Sequence, residues 1–186
     1  MPKIILNLRE NILRESKRIL KTESYDKLTV RRVAKACGVA VGTVYNYFPS
    51  KEMLTAGVML DDWQRSLEQM RQVSAEATSS MEGLERIYAV LLEYIGEYTE
   101  TWDQYRARGG RADSPYRHHI LVEQIADVIR TLLDRFGNML SGRLPAFLAE
   151  NLLILAAENE RDLSSVEPIF AITSISRTSS PRCLAN

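Results

Sequence analysis

Hydrophobic residues recur at steps of three and four along almost the whole chain, which is the spacing of one face of an α-helix. A first helix is predicted over Arg9–Thr22, with four hydrophobic positions on one side: Ile12, Leu13, Ile19 and Leu20. The longest run begins at Met81 and places on one face Leu84, Ile87, Tyr88, Leu91, Ile95, Tyr98, Trp102 and Tyr105. No segment shows the alternation typical of a strand, so we predict an all-α fold.

Two short helices follow the first one and are separated by a tight turn. Thr29 is the expected N-cap of the second helix, and Gly38 is the residue that ends it. The third helix is predicted over about Val41 to Phe48, and Pro49 ends it. Five residues are assigned to the core of this region: Val33, Ala34, Val39, Val44 and Phe48. Three helices with a glycine turn before the third are the pattern of a helix-turn-helix DNA-binding unit.

The rest of the chain is predicted to form a helical body. Ser50 is the expected cap of a fourth helix, whose inner face carries Leu54, Val58, Trp63, Leu67 and Met70. A loop over Arg106–Pro115 precedes a helix that ends at Gly137. Pro145 opens the next helix, with Phe147, Leu148, Leu152 and Leu155 predicted to face inward. A last helix is predicted over Ser165–Ser176.

Three regions are therefore expected: a helix-turn-helix domain over residues 1–52, a helical body over 53–176 joined to it by the fourth helix, and a tail without regular structure over 177–186. The charges follow this division. The formal net charge of the chain is zero, but residues 1–52 hold 11 Lys and Arg against 5 Asp and Glu, a net charge of +6. Lys and Arg supply the electrostatic part of DNA binding, so this basic head (residues 1–52) is where we expect nucleic acid. The alternative is a chance difference between the two parts.

Composition argues against several other classes of protein. The two cysteines, Cys37 and Cys183, lie too far apart in sequence to suggest a metal cluster or a disulfide framework. The first residues do not read as a signal peptide and no run is long enough for a membrane span, so we expect a cytoplasmic protein that does not engage a membrane. We find no spacing typical of an enzyme active site, and we expect no cofactor and no metal. His118, His119 and Glu123 are interpreted as surface residues rather than metal ligands.

The segment TVRRVAKACGVAVGTVYNYFPSKEML, residues 29–54, resembles the DNA-binding signature of the tetracycline-repressor (TetR) family of one-component transcriptional regulators. The positions that match the family pattern are Thr29, Ala34, Gly38, Val39, Gly42, Thr43, Val44, Tyr45, Tyr47, Phe48, Ser50, Lys51 and Leu54. The resemblance covers only the head and the start of the fourth helix. It implies that the third helix enters the major groove of DNA.

Physical roles can be assigned to the residues of the third helix. Gly42 allows the backbone to approach DNA closely, and Thr43 offers a hydroxyl and a methyl group to a base edge or a phosphate. Asn46 is the expected polar reader of adenine, whereas Val41 discriminates only by apolar contact. Tyr45 and Tyr47 suit phosphate oxygens at the wall of the groove, and packing of Tyr45 into the core is the alternative.

Residues outside the third helix are expected to contact the DNA backbone. Lys51 lies in the first turn of the fourth helix, and Thr29 lies at the start of the second one, where capping alone is the competing role. Arg31 and Arg32 add positive charge, as does Lys35, although some of these side chains are expected only to be solvated. Ala40 departs from the family pattern, because Ser or Thr is frequent there, and its helix loses a side-chain cap.

The resemblance also implies a homodimer and a small-molecule inducer of unknown identity. In the family the last two helices form the dimer interface, which corresponds here to Pro145–Asn159 and Ser165–Ser176. An aromatic run at helical spacing, together with a tryptophan of the fourth helix, is the predicted ligand pocket: Trp63, Tyr94, Tyr98, Trp102 and Tyr105, with Tyr88 on the same helix. Ordinary core packing is the competing interpretation of these rings.

These expectations combine into one function. The chain is predicted to be a ligand-responsive transcriptional regulator, with repression favoured over activation, that binds a palindromic DNA operator as a homodimer and is released by its inducer. The alternative is a helical protein-interaction module that keeps the helix-turn-helix as a scaffold.

Overall fold

The computed structural model describes residues 7–107, 115–137 and 143–159. These residues contain seven α-helices and no strand, as the sequence predicts: α1 (Leu8–Thr22), α2 (Val30–Cys37), α3 (Val41–Tyr47), α4 (Lys51–Glu76), α5 (Ser80–Ala107), α6 (Pro115–Arg135) and α7 (Leu144–Ala157). A short 3-10 helix, Tyr25–Lys27, lies between α1 and α2. None of the described helices is both long enough and apolar enough to cross a membrane.

The described residues divide into two compact units. The first consists of residues 7–65 and 97–107, and the second of residues 66–96, 115–137 and 143–159. The first unit therefore contains the head, the beginning of α4 and the carboxyl-terminal part of α5. All the candidate DNA contacts lie in this unit.

Local capping signals set the helices of the head. The Thr29 hydroxyl accepts a hydrogen bond from the Arg32 amide at 3.2 Å, which caps α2 as expected. Gly38 ends α2 with φ of +67°, a left-handed conformation that glycine adopts without strain. The Ser50 hydroxyl accepts from the Met53 amide at 3.2 Å and caps α4.

The core of the first unit is built from apolar residues of the head and of α4. The fully buried side chains include Ile12, Ile19, Leu28, Val33, Val44 and Leu54. Gly57 of α4 lies where a Cβ atom would meet Phe48 Cε1 at 2.6 Å and Leu13 Cδ2 at 3.2 Å. Helix α4 therefore packs against the end of α3 at a distance that only glycine permits. Val39, predicted to belong to this core, is only half-buried.

The second unit has its own core, which four helices supply. Its buried side chains include Leu67, Met70, Leu84, Ile87, Leu91, Ile125, Ile129, Leu132, Leu148 and Leu152. Gly83 of α5 allows close packing, because a Cβ atom there would lie 2.4 Å from Leu132 Cδ1. The Arg135 side chain donates to the Ser74 carbonyl at 2.9 Å and so joins α6 to α4. His118 Nε2 lies 2.8 Å from Glu150 Oε1, and this pair joins α6 to α7.

The prediction for α7 was partly wrong. Leu148 and Leu152 are buried as expected, but Phe147 is 49% exposed and Leu155 is only half-buried. Leu153 and Ala156 are buried in their place. The reason is that α7 is apolar on nearly all sides, so its sequence does not identify the face that packs against α6.

The boundaries of the loop predicted over Arg106–Pro115 also differ, because α5 continues to Ala107 and α6 begins at Pro115. The helix predicted over Ser165–Ser176 and the tail over 177–186 lie outside the described residues.

Candidate DNA-binding surface

Helix α3 has one buried side and one exposed side. Val44 is fully buried and the following Phe48 is 5% exposed, so these two residues anchor the helix. On the other side Tyr45 is 48% and Tyr47 is 45% exposed, and Asn46 and Gly42 are also exposed. Tyr45 therefore does not pack into the core, which was the alternative to its predicted role.

The turn between α2 and α3 is held by backbone hydrogen bonds. The Gly38 amide donates to the Lys35 carbonyl at 3.2 Å, and the Val39 amide donates to the Ala34 carbonyl at 3.0 Å. Ala40 takes the N-cap position of α3 and provides no side-chain hydrogen bond, as the sequence indicates. The orientation of α3 therefore depends on this turn and on its two buried anchors rather than on a capping side chain.

The residues predicted to contact the DNA backbone at the start of α2 differ in whether their polar groups already have partners within the protein. Thr29 is exposed, and its oxygen accepts the capping hydrogen bond while its proton stays available for donation. Arg31 is exposed. Arg32 is also exposed, but its guanidinium lies 2.5 Å from Glu23 Oε1, so a phosphate would have to replace that carboxylate.

Lys51 occupies the first position of α4, where its ammonium packs on an aromatic ring. Lys51 Nζ lies 3.9 Å from the centroid of the Tyr25 ring. The adjacent Glu52 has a lowered pKa, because its own backbone amide and the Ser50 hydroxyl donate to its carboxylate. The sequence did not point to Tyr25 or Glu52, since neither is part of the family signature.

The aromatic residues predicted as a ligand pocket fall into both compact units. Tyr94 is half-buried in the second unit, whereas the other four lie in the first. Trp63 and Tyr98 are each 2% exposed. Trp102 and Tyr105 meet edge to face with ring centroids 6.0 Å apart, and Tyr105 meets Tyr25 in the same way at 6.4 Å.

A buried carboxylate lies beside these rings. The Asp62 side chain is 7% exposed, and its Oδ2 accepts a hydrogen bond from the Tyr98 hydroxyl and lies 2.6 Å from Lys17 Nζ. Glu97 extends the network, since its Oε1 lies 3.4 Å from Lys17 Nζ and 2.8 Å from Lys21 Nζ. The network joins α1, α4 and α5 within the first unit. The sequence gives no sign of this network, because charged residues on helices are usually solvated.

A cleft of about 340 Å³ opens next to this network, between α1 and α4. It is lined by Glu10, Leu13, Arg14, Lys17, Val58, Asp61, Asp62 and Arg65. None of the five predicted pocket residues is among them. Four of the charged residues that line it form ion pairs with one another: Lys17 with Asp62 and Arg65 with Asp61, each at 2.6 Å.

The head is similar in sequence to known bacterial regulatory proteins. Residues 12–58 match the family described as bacterial regulatory proteins, tetR family. The chain is 30% identical over 64 residues to the HTH-type transcriptional regulator UidR of Escherichia coli, a segment that covers 34% of this chain and 33% of UidR. It is 25% identical over 119 residues to YuxN of Bacillus subtilis, an uncharacterised HTH-type transcriptional regulator, covering 64% of this chain and 39% of YuxN. The matches thus span only about a third of the length of UidR and about two fifths of the length of YuxN.

Solved structures are similar over nearly the whole chain. A TetR-family transcriptional regulator from Pectobacterium atrosepticum has a TM-score of 0.62 and 20% identity, with 90% of each chain covered. FadR of Thermus thermophilus, a TetR-family transcriptional repressor solved in complex with lauroyl-CoA, has a TM-score of 0.58 and 20% identity, covering 96% of this chain and 99% of FadR. At such identity these structures show the fold alone. The similarity in sequence to the tetR family of bacterial regulatory proteins therefore covers the head and the beginning of α4, and the similarity in fold to TetR-family regulators extends over nearly the whole chain.

Proposed function

We propose that this chain is a homodimeric transcriptional regulator that binds a palindromic DNA operator through α3 of each subunit. The observation that carries the proposal is the exposed face of α3, where Gly42, Tyr45, Asn46 and Tyr47 are open to solvent while Val44 is buried. This face lies in a head with a net charge of +6. Positive charge draws the head to the phosphate backbone, and an exposed polar helix face reads base edges.

The roles of the individual residues follow from their positions. Thr43 and Asn46 read bases, and Val41 adds apolar contact. Tyr45 and Tyr47 donate their phenol hydroxyls to phosphates at the wall of the groove. On the flanks Thr29, Arg31 and Lys51 contact the backbone, and Arg32 joins them only when it leaves Glu23.

A second subunit is proposed because one head covers too little DNA for a specific site. Single modules bury roughly 600 to 1,000 Å² of protein surface, and dimers double this on a palindrome. Exposed apolar residues on α7 support an interface there: Phe147 is 49% and Ile154 is 47% exposed, and they lie seven positions apart on one face of the helix. The helix predicted over Ser165–Ser176 is proposed as the second part of this interface.

We propose that a small-molecule inducer releases the operator and that the protein is a repressor that acts in the cytoplasm, without a cofactor and without catalytic activity. The complex of Thermus thermophilus FadR with lauroyl-CoA supports a ligand for this fold. Of the predicted pocket residues, four lie within the first unit and remain the proposed pocket: Trp63, Tyr98, Trp102 and Tyr105. Coupling between two sites is typically about 1 to 3 kcal/mol, and operator DNA must weaken inducer binding by the same factor as the inducer weakens operator binding.

Selection of genomic fragments by the purified full-length chain tests the proposal. We expect the selection to recover a short palindrome. The wild-type protein should retard this palindrome in a gel, and the double variant Thr43→Ala with Asn46→Ala should not. A scaffold that has only kept the helix-turn-helix shape would recover no common sequence. In that case the interaction-module alternative would replace the regulator.

A further inference from the structure

The Tyr25 ring lies between a candidate DNA contact and helix α5. Tyr25 is 4% exposed and belongs to the short 3-10 helix that follows α1. Lys51 Nζ lies 3.9 Å from the ring centroid. Tyr105 of α5 meets the same ring edge to face, at 6.4 Å between centroids and 87° between planes. All three residues belong to the first compact unit.

The Tyr25 ring restricts the Lys51 side chain through one contact and connects it to α5 through the other. An ammonium over the face of an aromatic ring is attracted by the electron density of that face. A lysine held in this way has already lost part of the side-chain freedom that a phosphate contact would otherwise remove. The edge-to-face contact fixes the ring itself, because Tyr105 in turn packs against Trp102 with centroids 6.0 Å apart.

We propose that Tyr25 is a positioning residue for DNA binding, that it holds the Lys51 ammonium in place, and that Tyr105 holds Tyr25. The proposal rests on the proposed function, in which Lys51 contacts the DNA backbone. It adds a route from α5 to the DNA surface that runs through Tyr25. A shift of α5 at Tyr105 then moves the Lys51 ammonium even where α4 stays in place.

The ring face rather than the tyrosine hydroxyl performs this role, which gives a matched pair of variants. Tyr25→Phe keeps the aromatic ring face, whereas Tyr25→Leu removes the ring face but keeps an apolar side chain. Both are compared with wild type by fluorescence anisotropy at low salt, with a labelled mixed-sequence duplex of about three helical turns. Each is measured again with Lys51→Ala.

We expect Tyr25→Phe to bind like wild type and Tyr25→Leu to bind about 3- to 10-fold more weakly. In the Lys51→Ala background the two variants should bind alike, because the ring then has no ammonium to hold. A loss of the same size in both backgrounds would overturn the proposal, since it would indicate a general effect on the fold. Wild type that binds no duplex would instead refute the proposed function itself.

A measurement on the folded wild-type chain covers the case in which Tyr25→Leu does not fold. Protons near the end of the Lys51 side chain lie over the ring, so their NMR signals should be shifted upfield relative to those of the exposed Lys27. The upfield shift should persist in Tyr25→Phe and decrease in Tyr105→Leu. Lys51 signals at ordinary positions in the wild-type chain, or an unchanged shift in Tyr105→Leu, would contradict the proposed route from α5 through Tyr25 to Lys51.

Discussion

The Tyr98 hydroxyl donates a hydrogen bond to Asp62 Oδ2, and both side chains are almost fully buried. Lys17 Nζ lies 2.6 Å from the same oxygen, so the carboxylate has a cation and a hydroxyl as partners. A buried carboxylate without partners would be strongly destabilising. The pair therefore fixes where α5 lies against α4 within the first unit.

Tyr98→Phe removes only the hydroxyl of this pair. We expect the variant to lose about 2 kcal/mol of unfolding free energy, because a buried hydrogen bond to a charged acceptor is broken while the ring still fills its space. Urea unfolding followed by circular dichroism measures the change. Tyr47→Phe is the matched control, since Tyr47 is 45% exposed and the loss of its hydroxyl should leave stability unchanged. Equal stability of Tyr98→Phe and wild type would show that the hydrogen bond contributes nothing.

Gly57→Ala tests the close packing of α4 against the end of α3. The added Cβ would meet Phe48 Cε1 at 2.6 Å, so we expect a loss of about 1 to 3 kcal/mol in spite of the better helix propensity of alanine.

Gly96→Ala in α5 is the control for this substitution, because no described atom, apart from its chain neighbours and the nearby backbone of its own helix, lies within 4 Å of its added Cβ. It should stabilise the protein by about 0.5 to 1 kcal/mol. Thermal unfolding that moved in the same direction for both variants would contradict the packing argument.

The Cys37 thiol should react slowly. Burial, and then the nearby Glu15 carboxylate, raise the pKa of this thiol, so little of the reactive thiolate forms near neutral pH. In a Cys183→Ser variant, where Cys37 is the remaining cysteine, we expect labelling by a thiol reagent to be much slower in native protein than in protein unfolded in urea. Similar rates in the two states would show that Cys37 is accessible.

The head was predictable because its signals are local. Thr29 caps α2 and Gly38 ends it as expected, and each signal involves residues within about one helical turn. The faces of α7 were less predictable, because a helix that is apolar on nearly all sides carries no periodic pattern, and Phe147 was therefore assigned to the wrong side. The sequence identifies the type of element more reliably than its partner.

The contacts of the candidate site depend on residues far apart in the chain. Tyr25 lies in a 3-10 helix of three residues, which is too short for any hydrophobic period to appear. Its partners Lys51 and Tyr105 come from α4 and α5. The aromatic spacing of α5 was recognised, but only the structure shows that Tyr105 contacts a residue of the head.

Thr43→Ala is expected to weaken binding to the selected operator by about 1 to 3 kcal/mol and to relax the preference at one base pair, because Thr43 is proposed to touch a base edge. Selection of bound sequences from a random library measures both effects. Thr131→Ala on α6 removes the same groups from an exposed position of the second unit and should bind as wild type does. A uniform loss over all sequences would instead assign Thr43 to the backbone.

The salt dependence of DNA binding by the full-length wild-type chain, compared with Lys51→Ala, tests the account most directly. We predict a dimer whose affinity falls steeply with salt, and a slope lowered by about one per subunit in Lys51→Ala. Arg130→Ala, which removes an equal charge from α6, should keep the wild-type slope. A monomer that does not bind duplex DNA even at low ionic strength would contradict the account.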